Sequence, residues 1–116
     1  MWFLKYDDMI STSIPEIVEK YVINGANCYD VNFNVVKEQD WYSYEQVKIP
    51  NGRFDYSGII DALVTYKYPN DKMQSVINNY LLDPGDAYAI DEFNAMQAWR
   101  KEAKEIAKEA LLYELS

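Results

Sequence analysis

The sequence predicts an α+β fold: a small antiparallel sheet or hairpin with short helices and one long C-terminal helix. Three observations lead there. The run from Asp86 to Leu115 contains no Gly and no Pro and is dense in Ala, Glu, Lys, Met and Leu, the residues that lose least on entering a helix. Between Tyr29 and Val35, apolar and polar residues alternate strictly, which is the period of a half-buried strand. Strand-like and helix-like stretches are segregated along the chain instead of alternating, which argues against a parallel α/β arrangement.

Trp2 to Lys5 reads as a short strand or as an apolar anchor onto the core. Ser13-Ile14-Pro15-Glu16 matches the capping box, a Ser followed three residues later by Glu. Pro15 falls in the first turn, where its missing N–H costs nothing. Ile14, Ile17, Val18, Tyr21 and Val22 then follow at helical spacing, so a short helix is expected here, stopped by Asn24-Gly25.

The period then changes to two, which places Tyr29, Val31, Phe33 and Val35 on one strand face. Lys37 to Asp40 is a polar break of hairpin length. Trp41 to Ile49 reads as the return strand, with Trp41, Val47 and Ile49 on one face and Tyr42 and Tyr44 on the other. Pro50-Asn51-Gly52 closes the segment as a turn. A lone hairpin is barely stable in water. It must lie on helices, gain a third strand such as Trp2 to Lys5, or pair with another subunit.

From Phe54 onward the pattern is helical. Asp55 or Ser57 can cap a helix bearing Ile59, Ile60, Leu63, Val64 and Tyr66, which Tyr68-Pro69 ends. Asp71 and Gln74 form a second capping-box pattern ahead of Met73, Val76, Ile77, Tyr80 and Leu81. Asp83 as cap with Pro84 at the first helical position would open the long helix. That helix would be roughly 45 Å long at about 1.5 Å per residue.

A chain of 116 residues is one domain (1–116), with a mixed N-terminal half (1–52) and a helical C-terminal half (53–116). Its 49% hydrophobic and 26% charged composition is that of a globular protein. The net charge of −8 disfavours nucleic acid and anionic membrane surfaces as partners. Cys28 is the single cysteine, so no intrachain disulfide can form, and it is expected to pack as a small hydrophobe. Histidine is absent, which removes the commonest general base and zinc ligand. The opening Met-Trp-Phe-Leu-Lys is too short for a signal peptide or membrane span, so a soluble cytoplasmic protein is expected.

Two groups of residues stand out as candidate sites. Phe93, Met96, Trp99, Ala103, Ile106, Ala110 and Tyr113 form a heptad-like stripe on the long helix, flanked beyond Trp99 by charged residues. Its functional reading is an interface for a protein partner or for self-association into a homo-oligomer. Its plain reading is packing on the chain's own shorter helices. On the interface reading, Trp99→Glu would dissociate an oligomer without unfolding it. Trp41, Tyr42 and Tyr44 form an aromatic cluster that, if exposed, is a platform for a carbohydrate or a peptide, and otherwise covers the core.

Asp83, Asp86, Asp91 and Glu92 gather acids within ten residues, but their order does not match a calcium loop, and helix capping already accounts for them. No phosphate loop, nucleophile motif or metalloprotease motif is present. A catalytic residue, a metal site and a cofactor are therefore not expected.

Asn78-Asn79-Tyr80-Leu81-Leu82-Asp83-Pro84, then Glu92 through Lys101, together with Tyr66-Lys67-Tyr68-Pro69 and Met73 through Ile77, carry a resemblance. From about Phe54 to Ala110 the chain resembles small uncharacterised proteins encoded in prophages of gut bacteria. The resemblance implies a phage structural or assembly component, made in the cytoplasm, virion-associated, and acting through protein contacts. It brings no catalytic or binding residues with it. The expectation is a non-enzymatic protein-interaction module associating through its long helix. The alternative is a carbohydrate- or peptide-binding module using the aromatic hairpin.

Overall fold

The computed structural model describes residues 9–115; the expectation for Trp2 to Lys5 lies outside them. The fold is α+β. The strands are β1 (Met9–Ser11), β2 (Val18–Ile23), β3 (Ala26–Lys37) and β4 (Tyr42–Ile49), and the helices are α1 (Tyr56–Lys67), α2 (Asn70–Leu82) and α3 (Ala87–Leu115). The strands form one antiparallel sheet in the order β1-β4-β3-β2. The expected hairpin is β3–β4. It gains an edge strand on each side and lies against α1 and α3, which together supply the burial a bare hairpin lacks.

The expected N-terminal helix does not form. Ser13 to Ile17 is irregular and the rest of that segment is β2. Asn24 and Gly25 have φ of 51° and 81°, positive at both positions, between the paired residues Ile23 and Ala26. This is the two-residue turn whose twist suits a hairpin, and Asn-Gly is its favoured sequence. Val18, Tyr21, Val22 and Ile23 are good strand formers. Six residue pairs with β3 outweigh a capping box that would stabilise only one short helix.

On the helix-facing side, Val18, Val31, Phe33, Val47 and Ile49 are buried. Tyr29 stacks on Phe54 at 4.1 Å between ring centroids. Val35 does not join them and is 41% exposed. The register shifts between Phe33 and Val36, and Asn34 takes a φ of 52°. This bulge turns the end of β3 off the core face.

The opposite sheet face holds a polar network. Asp30 and Asn32 are buried there. The Tyr21 hydroxyl donates to Asp30 Oδ1 at 2.9 Å. Asn32 Nδ2 donates to the Glu16 carbonyl at 2.7 Å and to Glu19 Oε1 at 3.2 Å, and Gln46 Nε2 donates to Asn32 Oδ1 at 2.9 Å. Buried polar atoms so partnered avoid the penalty of lost hydration.

These surroundings favour neutral phenols. The bond to Asp30, with desolvation, raises the Tyr21 pKa. Burial, with Glu19 nearby, raises that of Tyr44, and burial, with Glu16 nearby, raises that of Tyr113. The unfolded chain releases these protons near pH 10, before the folded chain does. The resulting stability is complete below about pH 10 and is lost as the pH rises through the folded values. The urea midpoint is therefore expected to hold up to about pH 10 and then fall. Tyr44→Phe should shallow that fall; an unchanged alkaline slope in this variant would remove Tyr44 from the account.

The helix boundaries follow local capping. Asp55 caps α1, its Oδ1 accepting from Gly58 N at 2.7 Å. Asp71 does not cap α2. The cap position is Pro69 with no side-chain bond, and Asp71 lies inside the first turn. There its charge still complements the helix dipole. Asp86, not Asp83, opens α3, its Oδ2 accepting from Ala89 N at 2.9 Å. Asp83 through Asp86 form a reverse turn closed by Asp86 N donating to the Asp83 carbonyl at 3.1 Å. Pro84 belongs to that turn, and Asp83 already terminates α2.

The 29 residues of α3 run unbroken, about 43 Å at 1.5 Å per residue. The sheet-covering helices are α1 and the later part of α3, while α2 packs chiefly on α3. The radius of gyration is 16.4 Å, above the roughly 13 Å of a fully compact chain of this length.

Candidate functional site

The stripe expected to be an interface is instead the core face of α3. Met96, Ala103 and Ala110 are fully buried, Trp99 is 5% exposed and Ile106 9%, while Phe93 and Tyr113 are half-buried. Trp99 is held from three sides. Its Nε1 donates to the Leu63 carbonyl at 2.9 Å, its ring lies 5.7 Å from Phe33, and Lys67 Nζ sits 4.1 Å from its centroid. Ala107 is also fully buried. It widens the stripe into the broad face of a globular helix, whereas a two-helix seam is narrower. Phe93 stacks on Tyr80 of α2 at 4.3 Å. The plain reading of this stripe is the correct one, and a partner could reach it only by displacing the sheet and α1.

The aromatic cluster does not form an open platform. Tyr44 is 7% exposed, and Trp41 and Tyr42 are half-buried. Tyr42 and Tyr44 point to the sheet face away from the helices, by the alternation of β4 against Val47 and Ile49.

The first two acids of the cluster act as turn and helix caps, Asp83 Oδ1 accepting from Gly85 N at 3.3 Å and Asp86 Oδ2 from Ala89 N at 2.9 Å. Among the described residues no group of three or more His, Cys, Asp or Glu is placed to hold a metal ion. No described helix is long and apolar enough to cross a membrane.

A different surface stands out at the tip where α2 turns into α3. Leu81 is 69% exposed, Leu82 85% and Tyr88 71%. Beneath them, the Tyr80–Phe93 stack locks the two helices together, so the tip is a braced structure. Its charges are of one sign. Between Lys72 and Arg100 the only charged residues are Asp83, Asp86, Asp91 and Glu92. The three aspartates are exposed. Leu81 fits the spacing of the apolar face of α2 but is exposed instead of packed.

Among the cavities beside the helices are two of about 340 Å³ each. One lies among α1, α2 and α3, with Ile60, Val64 and Met73 in its wall and Asp61 and Arg100 at its edge. The other lies between β3 and α3, lined by Phe33, Asn34 and Val35 on the sheet side and by Glu102, Glu105, Ile106 and Glu109 on the helix side. Comparison with known protein families, curated proteins and solved structures yields no match.

Proposed function

We propose that this chain is a non-enzymatic protein-interaction module whose contact surface is the α2–α3 tip, with Leu81, Leu82 and Tyr88 at its centre. The observation behind this reading is their exposure of 69%, 85% and 71% on a braced turn ringed by aspartates. Single exposed apolar residues are ordinary, but a cluster rimmed by polar groups is the pattern of a contact site. An acidic rim selects a partner that is basic around an apolar anchor. The resemblance to prophage-encoded proteins would make the setting phage assembly.

The test is titration with a synthetic amphipathic helix carrying leucines on one face and lysines beside them, followed by amide chemical shifts. Shifts should concentrate on Leu81 to Asp91 and disappear in Leu82→Asp, whose melting temperature should stay within a few degrees of wild type because Leu82 is almost fully exposed. Shifts centred elsewhere, or none at all, would refute the tip as the contact surface.

A further inference from the structure

The outward side of α3 is sorted by charge. At about 100° per residue, Arg100, Lys101, Lys104 and Lys108 fall on one strip, and Glu102, Glu105 and Glu109 on the next. The acidic strip faces the cavity beside β3. The basic strip begins at the other cavity, where Arg100 stands at the edge of a wall made by Ile60, Val64 and Met73. Of the 11 basic residues in the chain, these four lie within nine consecutive positions. Among the described residues, the ion pair these four make is Lys108 with Glu105 at 3.5 Å, both well exposed, and such a pair is readily exchanged.

The two surfaces complement each other. One is a projecting leucine in an aspartate ring without a positive charge. The other is a hollow of about 340 Å³ lined by Ile60, Val64 and Met73 together with Thr65, Asn70, Asp61 and Arg100, and Lys104 lies one turn beyond Arg100 on the exposed side of α3. They cannot meet within one molecule, because Leu82 lies about 14 Å along α2 from Met73 at about 1.5 Å per residue. Asp61 also lines the hollow and pairs with the exposed Arg53 at 3.2 Å, so the rim carries both signs and Arg100 with Lys104 must supply the attraction for an incoming aspartate.

We propose that the tip's partner is a second copy of this chain: Leu82 of one molecule enters the hollow among α1, α2 and α3 of the next, and Asp83 and Asp86 meet Arg100 and Lys104 at its mouth. This rests on the reading of the tip as a contact surface and names its occupant. The contact is heterologous, because a tip meets a hollow and not another tip. Each added copy therefore presents a fresh tip and a fresh hollow, and growth continues into a ring or filament instead of stopping at two. The charged rim makes the assembly sensitive to ionic strength.

Sedimentation velocity of the full chain, from micromolar to millimolar concentration at low salt, tests this. The expected result is a distribution that moves past the dimer as concentration rises and retreats on adding salt. Leu82→Asp, and separately Arg100→Glu with Lys104→Glu, should each weaken assembly about tenfold or more, as for anchors at the centre of a contact. All three positions are exposed, so both variants should keep the wild-type melt. An equimolar mixture of Leu82→Asp with the double charge reversal is decisive. One partner keeps a working hollow and the other a working tip, so the mixture should form a one-to-one dimer and stop. A wild-type chain that stays monomeric, a dimer that closes at two, or a mixture without heterodimer would each overturn the proposal. If self-assembly fails while the peptide still shifts the tip amides, only this partner is lost; if both fail, the tip itself is not a contact surface.

Discussion

Replacing Trp99 by glutamate is expected to unfold the domain. The side chain is 5% exposed and joins the sheet to both of its covering helices through Phe33, the Leu63 carbonyl and α3 itself. Removing a buried tryptophan costs about 3–5 kcal/mol through lost contacts and the cavity left behind. A carboxylate in that place adds a desolvation penalty, because the nearest cation, Lys67, already faces Glu45 at 3.8 Å. An ordinary domain has about 5–15 kcal/mol in total, so little or no folded population should remain. Circular dichroism against urea is the measurement. A cooperative transition near the wild-type midpoint, accompanied by a change of oligomeric state, would restore the interface reading of the stripe. Trp99→Phe, which keeps a ring but loses the indole donor, should fold with a reduced midpoint.

Gly58→Ala should be nearly as damaging, against the usual trend. Glycine inside a helix normally costs about 1 kcal/mol relative to alanine, so the exchange would ordinarily stabilise. Here a Cβ at position 58 would meet the Arg53 carbonyl oxygen, with the carbonyl carbon at 2.8 Å. These are backbone atoms of the turn that leads into α1, so relief requires moving the chain. The Gly58 amide also receives the Asp55 cap at 2.7 Å, and a shift that relieves the clash opens that bond. Overpacking typically costs about 1–3 kcal/mol, and loss of a cap adds about 1 kcal/mol. Urea denaturation should therefore show a loss of about 3 kcal/mol. Gly85→Ala is the control: its Cβ would sit at an ordinary 3.7 Å from Asp83 Oδ1, and its stability should change little. A stabilised Gly58→Ala would mean that the approach of Arg53 to α1 is not as close as described.

Much of the architecture is legible in the residues because local signals and tertiary packing agree there. The long helix, the Asp55 cap, the Tyr68-Pro69 stop, the strand pair and the Pro50-Asn51-Gly52 turn are set by chemistry within a few positions of each other. In the segment Ser13 to Val22 two local signals compete. A capping box points to helix, and β-branched residues before Asn-Gly point to a hairpin. The outcome depends on a partner strand, β3, that no local pattern names. The displacement of Val35 is invisible for a related reason, since strict alternation cannot reveal a bulge. The stripe on α3 was found correctly as an apolar face, but spacing does not say which molecule covers it. The tip is hidden in the sequence because Leu81 fits the helical period of α2, and a period does not show where the covering helix is absent.

The position of β1 has a consequence for the order in which the sheet assembles. Strands β2, β3 and β4 follow one another through short reversals, and closing short loops loses little chain entropy. The first strand must reach across that whole meander to find β4, pairing Met9 with Tyr44. The three-stranded meander can therefore nucleate by itself, leaving β1 as the last strand to dock and the first to release.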